Sequence, residues 1–94
     1  MVQFENTMRV RANNQNDNSR SFDINADVEY NRETEKMRIF SSNVRTTENE
    51  NVASFSKADT LSINYYDLDK QSEVNEAINA FIAEVEEKTK NINL

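Results

Sequence analysis

The chain has 94 residues, of which 36% are hydrophobic and 30% are charged, and its formal net charge is −6 at pH 7. It contains no Cys and no His, which excludes disulfides, thiolate chemistry, and the commonest general base and metal ligand. It also contains no Gly, which excludes the phosphate-binding loops that depend on Gly. A chain of this size forms one domain, and we expect a single α+β domain over residues 1–94.

Asparagine is abundant, with fifteen residues, while both Gly and Pro are absent. After Gly, Asn is the residue that best tolerates a positive φ angle. We therefore expect Asn to replace Gly at the turns, and this structural use explains the Asn clusters without a catalytic role.

The negative charge is concentrated in the second half of the chain. Residues 1–47 contain seven Lys or Arg and seven Asp or Glu, whereas residues 48–94 contain four Lys and ten Asp or Glu. A negative surface repels nucleic acid and acidic membranes, so we expect no direct binding to either. The first residues contain no apolar h-region, and no apolar run is long enough to span a bilayer, so a cytoplasmic location is the simplest expectation.

The first two elements are predicted to be strands, because apolar and polar residues alternate with a period of two. The first strand covers residues 2–12 and the second covers residues 20–30, with a polar loop over residues 13–19 between them. The second strand alternates strictly, and its inward residues are Phe22, Ile24, Ala26, Val28 and Tyr30.

These two strands have a predicted register. Folding the chain about Asn16 pairs Val10 with Phe22 on the apolar face and places Arg9 opposite Asp23 on the outer face. A slip of one residue would turn one strand's apolar set towards water, so we expect this register to be well specified.

The third strand is predicted over residues 36–44. Pairing Val28 with Ile39 keeps the inner face apolar and places Glu29 opposite Arg38. The same alternation puts Phe40 and Val44 on the outer face, where they are the first residues to break the pattern.

The fourth and fifth strands, residues 52–56 and 60–65, are predicted to form a hairpin around residues 57–59. In the fifth strand, Leu61, Ile63 and Tyr65 share one face. In the fourth strand we favour Ala53 and Phe55 as inward residues, and the alternative with Val52 inward stays open.

The last element is predicted to be an amphipathic helix over Asp67–Lys90. Six apolar residues follow the i, i+3, i+4, i+7 pattern and form one stripe: Val74, Ala77, Ile78, Phe81, Ile82 and Val85. Asp67 or Asp69 is the expected N-cap. Two i,i+4 pairs, Glu84–Lys88 and Glu86–Lys90, are expected on the solvent side.

The sequence therefore predicts an α+β fold, with an antiparallel meander of about five strands and one C-terminal amphipathic helix packed on one face of the sheet. Loops of hairpin length and the absence of helices between the strands make parallel pairing improbable.

Most polar clusters have a structural explanation. The segment Asp67–Asp69 lacks the Gly and Glu that an EF-hand calcium loop needs, so a helix cap is the better interpretation. The acidic clusters at 48–50 and 84–87 are interpreted as solvated surface. Lys57 lies near Ser56 and Asp59, and a turn explains this group as well as catalysis does.

Basic residues on the outer face, Arg9, Arg11 and Arg38, alternate with carboxylates, so cross-strand ion pairing is favoured over a platform for nucleic acid.

The outer face carries the strongest functional signal. Phe40, Val44 and Tyr66 are predicted to be exposed there, and a cluster of apolar side chains on a solvent face indicates a protein contact. The alternative is that the third strand twists or has a bulge, or that later residues cover it. The simplest version of self-association is a symmetric homodimer through this face or through Val52–Ser56 as an edge strand.

Three functions follow, in decreasing order of support. The first is a small acidic protein-binding or regulatory protein without catalytic activity, cofactor or metal. The alternative is an acidic decoy that mimics nucleic acid and inhibits a nucleic-acid-binding enzyme through its charged C-terminal half. An enzyme comes third, because no sequence signature marks a nucleophile with its base.

Overall fold

A computed structural model describes residues 7–90 and contains an antiparallel sheet of five strands in the order β1-β2-β3-β4-β5. The strands are β1 (Thr7–Asn13), β2 (Phe22–Asn31), β3 (Lys36–Thr46), β4 (Asn51–Lys57) and β5 (Leu61–Tyr65). A 3₁₀ turn (Leu68–Lys70) leads into the helix α1 (Gln71–Lys90). The predicted α+β meander with a C-terminal helix is confirmed, while the part of the first predicted strand before Thr7 lies outside the described residues.

The core lies between the inner face of the sheet and α1. The five inward residues predicted for β2 are all buried, and so are most residues of the helix stripe: Val74, Ile78, Phe81, Ile82 and Val85. The rings of Phe55 and Phe81 meet edge to face with their centroids 6.2 Å apart. Each buried side chain of this size stabilises the fold by about 1.5–3 kcal/mol, so this layer is the main source of stability.

Thr89 extends the helix stripe by one further turn and is also buried. Sequence periodicity passed over it because Thr is polar. Its hydroxyl donates to the carbonyl of Glu86 at 3.0 Å, which satisfies the polar group within the helix.

Asp67, one of the two predicted caps, caps the 3₁₀ turn that leads into α1: its backbone is extended and its Oδ1 accepts from the amide of Asp69 at 3.1 Å. The predicted pair of Glu84 with Lys88 is present at 3.3 Å. The predicted pair of Glu86 with Lys90 is wrong, because Glu86 turns to the sheet and accepts from Lys57 at 2.8 Å.

The register of β1 on β2 differs from the prediction. Val10 lies opposite Val28, six residues along β2 from the predicted partner Phe22, and Arg9 lies opposite Glu29 and not Asp23. The displacement is even, so every side chain keeps its predicted face.

The shift is explained by the β1–β2 loop, where the side chain of Asn14 hydrogen-bonds to the start of β2. Its Nδ2 donates to the carbonyl of Phe22 at 2.8 Å, and its Oδ1 accepts from the backbone amide of Ile24 at 2.9 Å. Within the loop, the hydroxyl and the backbone amide of Ser19 both donate to Asp17, which lowers the pKa of that carboxyl below its ordinary value.

Positive φ angles occur at two of the described residues, Glu35 (57°) and Asn49 (73°). Asn49 matches the expectation that Asn replaces Gly, whereas Glu35 does not. At two other turns the Asn side chain accepts from the backbone amide two residues on: Asn13 from Gln15 at 3.0 Å and Asn31 from Glu33 at 2.9 Å. Among the described turns, Asx turns therefore use Asn more often than left-handed backbone does.

In β4, Ala53 and Phe55 are buried as favoured, and Val52 is buried as well. The ladder pairs Val44 with Ala53 and then Arg45 with Asn51, which leaves Val52 as an extra residue that also faces inward. Because β4 lies between β3 and β5, the prediction of a dimer through Val52–Ser56 as an edge strand is wrong.

Candidate protein-contact surface

A β-bulge at Phe40 determines which residues of β3 reach the outer face. Asp27 pairs with Ser41 and Val28 pairs with Ile39, so Phe40 is an extra residue with no partner on β2. The insertion shifts the alternation by one residue, and both Ile39 and Val44 face the core.

The predicted contact residues therefore separate. Phe40 (38% exposed) and Tyr66 (58% exposed) are accessible, as predicted. The placement of Val44 on the outer face is wrong, because Val44 is fully buried among the core residues. In a strand without a bulge, strict alternation from Ile39 would place Val44 on the outer face. The extra residue at Phe40 reverses the alternation, so Val44 faces the core.

The bulge frees backbone groups on the neighbouring strand, and Ser42 satisfies them. The hydroxyl of Ser42 donates to the carbonyl of Phe55 and accepts from the amide of the same residue at 3.1 Å. One side chain thus replaces two ladder hydrogen bonds, and the irregular point of the sheet leaves no polar group of Phe55 without a partner.

Two arginines stack on Phe40. The Cζ atom of Arg9 lies 5.3 Å from the centre of the ring, and that of Arg38 lies 5.6 Å from it. Arg9 also donates to Glu29 at 3.1 Å, which fixes one guanidinium against the sheet. Cation–π contacts of this kind hold the ring in place while leaving much of it exposed.

The next pair along the outer face, Arg11 with Asp27, is joined at 3.2 Å. Together with Arg9 and Glu29, this confirms that carboxylates of β2 neutralise the arginines of β1. The outer face of the first two strands is therefore an ion-paired surface, as the alternation of charges predicts.

Beside Phe40 lies a shallow concavity of about 240 Å³ whose lining carries no charge. We name the following residues the Phe40 surface: Phe40, Ser41, Ser54, Ser56, Ser62 and Asn64. Tyr66 adjoins it, since its hydroxyl lies 2.9 Å from the Oγ of Ser54. The two exposed aromatic residues thus flank a floor of small, neutral side chains.

That floor belongs to a longer pattern that sequence reasoning missed. One row of the outer face crosses all five strands and consists of small uncharged polar residues: Asn13, Asn25, Asn43, Ser54 and Asn64. The sign of this row in the sequence is that Ser and Asn occupy alternate positions in the last three strands. Without knowledge of the bulge in β3, these residues could not be aligned in one row.

The remaining polar candidates are explained by structure. Asp67 caps the 3₁₀ turn before α1, and Lys57 pairs with Glu86 instead of with Ser56 or Asp59. Within residues 7–90 there is no group of three or more Asp or Glu side chains placed to hold a metal ion. None of the helical segments in this part of the chain has the length and apolar character needed to cross a bilayer.

Comparison of the chain with protein-family models, with curated proteins and with solved structures finds no match. Any functional inference must therefore come from the surface itself.

Proposed function

We propose that this chain is a small acidic protein-binding protein, without catalytic activity, that contacts its partner through the Phe40 surface. The observation that carries the proposal is Phe40 itself, an aromatic ring held on the outer face by a bulge and by two stacked arginines. A single exposed aromatic residue needs no explanation, but one that is held in a fixed position is suited to binding.

The composition of the surface supports a protein partner. Aromatic and Arg side chains are enriched among the residues that contribute most to protein interfaces, and Phe40 with Arg9 and Arg38 supplies both. The neighbouring Ser and Asn side chains are small and uncharged, so covering them removes few strongly hydrated groups from water. A neutral, shallow floor next to a fixed ring fits a flat protein contact better than a deep ligand site.

The noncatalytic part of the proposal is supported by the hydroxyl groups at this surface. Ser42 is engaged with Phe55, and Ser54 is engaged with Tyr66. A serine nucleophile needs a base within hydrogen-bond distance, and no Asp, Glu or Lys side chain lines the concavity. The cytoplasm is the proposed site of action, which fractionation of the host cell would test.

The test is a capture experiment from nuclease-treated host lysate with three tagged proteins, eluted in steps of rising salt and analysed by mass spectrometry. They are the unchanged chain, Phe40→Ser, and Leu68→Ser as a matched control. Leu68 is 73% exposed, lies in the 3₁₀ turn, and is not among the residues that line the concavity beside Phe40. We expect a stoichiometric partner with the unchanged chain and the control, and none with Phe40→Ser.

Two outcomes contradict this proposal. Capture of the same partner by Phe40→Ser would remove the Phe40 surface from the interaction. A nucleic-acid enzyme that is released already at moderate salt would favour the acidic decoy, because charge-based complexes weaken steeply with salt. The structure adds little to that alternative, since Glu84 and Glu86 are paired with Lys88 and Lys57.

A further inference from the structure

The outer edge of β5 is open: among residues 7–90 no strand pairs with it. The amide of Tyr66 donates to Val52 at 2.8 Å, and that of Ala58 donates to Thr60 at 3.2 Å. Antiparallel ladders alternate, so the even-numbered residues of β5 direct their backbone groups towards β4. The residues whose backbone groups point to the open side are Leu61, Ile63 and Tyr65.

This edge lacks the features that normally prevent pairing. The segment Leu61–Tyr65 contains no charged residue and no Pro, and its register with β4 is free of bulges. The opposite edge strand, β1, displays Arg9 and Arg11, which are the kind of charged residues that discourage added strands. Of the two edges of the sheet formed by residues 7–90, only that of β1 is therefore protected.

The inner face beside this edge is incompletely covered. Leu61, Ile63 and Tyr65 pack against the border of the core and are only half-buried. A strand added to β5 would extend the sheet under this apolar border and remove it from water.

We infer that the occupant of this edge is a second copy of the chain, whose β5 pairs antiparallel about a two-fold axis at Ile63. Ile63 then faces the partner's Ile63, Leu61 faces the partner's Tyr65, and Ser62 faces the partner's Asn64. Every apolar residue meets an apolar residue on the inner face, and polar meets polar on the outer face. The pattern is self-complementary, as a two-fold interface requires.

The backbone hydrogen bonds also favour a two-fold axis at Ile63. With the axis at Ile63, both the N–H and the C=O of all three edge-facing residues find partners in the other copy. With the axis at Ser62 or at Asn64, one of these three residues would lie opposite a residue outside the other copy's β5. The sheet would continue across the interface, which is the geometry of strand addition.

Charge opposes this dimer at low salt. Each copy carries a net charge of −6, and the proposed register brings Asp59 towards the partner's Asp67. Screening reduces this repulsion, so the dimer strengthens as salt rises. A complex built on opposite charges would show the reverse dependence.

Cysteine cross-linking tests the register directly, because the chain has no Cys of its own. Residues that face each other as a hydrogen-bonded pair lie about 5.5 Å apart at Cα, within disulfide range. We expect the Ile63→Cys variant to become almost fully cross-linked under mild oxidation at micromolar concentration. Leu61→Cys, which faces the partner's Tyr65, and Val10→Cys on β1 are the controls, expected to cross-link at least ten times more slowly.

Sedimentation velocity in 50 and 500 mM NaCl supplies the second measurement. We expect a mass of about twice 10.9 kDa at the higher salt for the unchanged chain and for Val10→Lys, and a monomer for a folded Ile63→Lys. A monomeric unchanged chain at all concentrations, equal cross-linking of the three Cys variants, or a dimer that weakens with salt would each overturn the inference. Ser62 and Asn64 belong both to the Phe40 surface and to the paired strand, but Phe40 itself lies on β3 and not on β5. Phe40→Ser should therefore leave this dimer intact, so the two proposals fail separately.

Discussion

Strands β2 and β3 are neighbours in the sheet, yet they obey the rule of alternation to different degrees. In β2 every second residue from Phe22 to Tyr30 is buried, without exception. In β3 the alternation runs to Ile39, gains one residue at Phe40, and resumes with the opposite parity through Val44. The comparison shows that two apolar residues predicted on the solvent face of a strand can indicate a β-bulge. In β3 the first of them is the inserted residue and is exposed, whereas the second faces the core.

Deleting one residue from each strand should give the largest difference. Removing Asn25 from β2 turns the buried side chains of one half of the strand towards water. The lost free energy of burial should exceed a typical stability of about 5–15 kcal/mol, so this variant should be unfolded. Removing Phe40 from β3 restores a regular strand, so this variant should fold and lose less than about 2 kcal/mol, since it removes only the extra residue. Circular dichroism with urea titration measures both.

An unfolded Phe40 deletion would show that the bulge is required by the surrounding sheet and is not an insertion that the sheet tolerates. A folded Asn25 deletion would show that β2 can itself accept a bulge, and the contrast between the strands would disappear.

Two valines test the corrected parity of β3. Val44→Ala should cost about 2–3 kcal/mol, because it leaves a cavity in a fully buried site. Val10→Ala is the matched control, since Val10 is a strand residue that is 37% exposed, and it should cost about 0.5 kcal/mol or less. Equal shifts of the urea midpoint in the two variants would contradict the burial of Val44.

Ser42 tests how the bulge is stabilised. Ser42→Ala should cost about 1–2 kcal/mol, because the amide and carbonyl of Phe55 lose their partner at a half-buried site. Ser56→Ala, at an exposed serine of the same concavity, should change the free energy of unfolding by less than about 0.5 kcal/mol. If the two variants unfold at the same urea concentration, the Ser42 hydroxyl does not stabilise the bulge.

Apart from the control variants, the smallest effect on stability is expected for a substitution at Phe40. Phe40→Ser should change the free energy of unfolding by no more than about 0.5–1 kcal/mol, because the ring is exposed and packs mainly on two arginines. A loss of about 3 kcal/mol or more, as for a truncated buried Phe, would mean that the ring belongs to the core. The Phe40 surface would then lose its central residue.

The same contrast explains what the sequence could predict. The facing of β2 and its register with β3, with Val28 opposite Ile39 and Glu29 opposite Arg38, were predicted correctly. The turn between β2 and β3 is short and the alternation of β3 is unbroken up to Ile39, so few registers of these two strands are possible. The helix stripe was also predictable, because its period depends on local geometry alone.

The failures have physical causes too. Alternation specifies only odd or even, so it could not distinguish Val10 opposite Phe22 from Val10 opposite Val28, and side-chain hydrogen bonds from Asn14 set the longer loop. It is equally blind to an inserted residue, which is why Val44 was misplaced while Phe40 and Tyr66 were predicted correctly to be exposed. The Asn and Ser row required the register of all five strands at once.

The order of the strands also has a consequence for the rate of folding. Within residues 7–90, each strand pairs only with the strands that precede and follow it in the chain, so no long segment must be closed before the ladder can grow. Local topologies of this kind fold faster than sandwiches whose strands pair across long connections. The chain also has no proline, and the slow isomerisation that delays many proteins for tens of seconds cannot occur at such bonds. Refolding of the monomer should therefore proceed without that slow phase, and any slow step should depend on protein concentration, as the joining of two copies does.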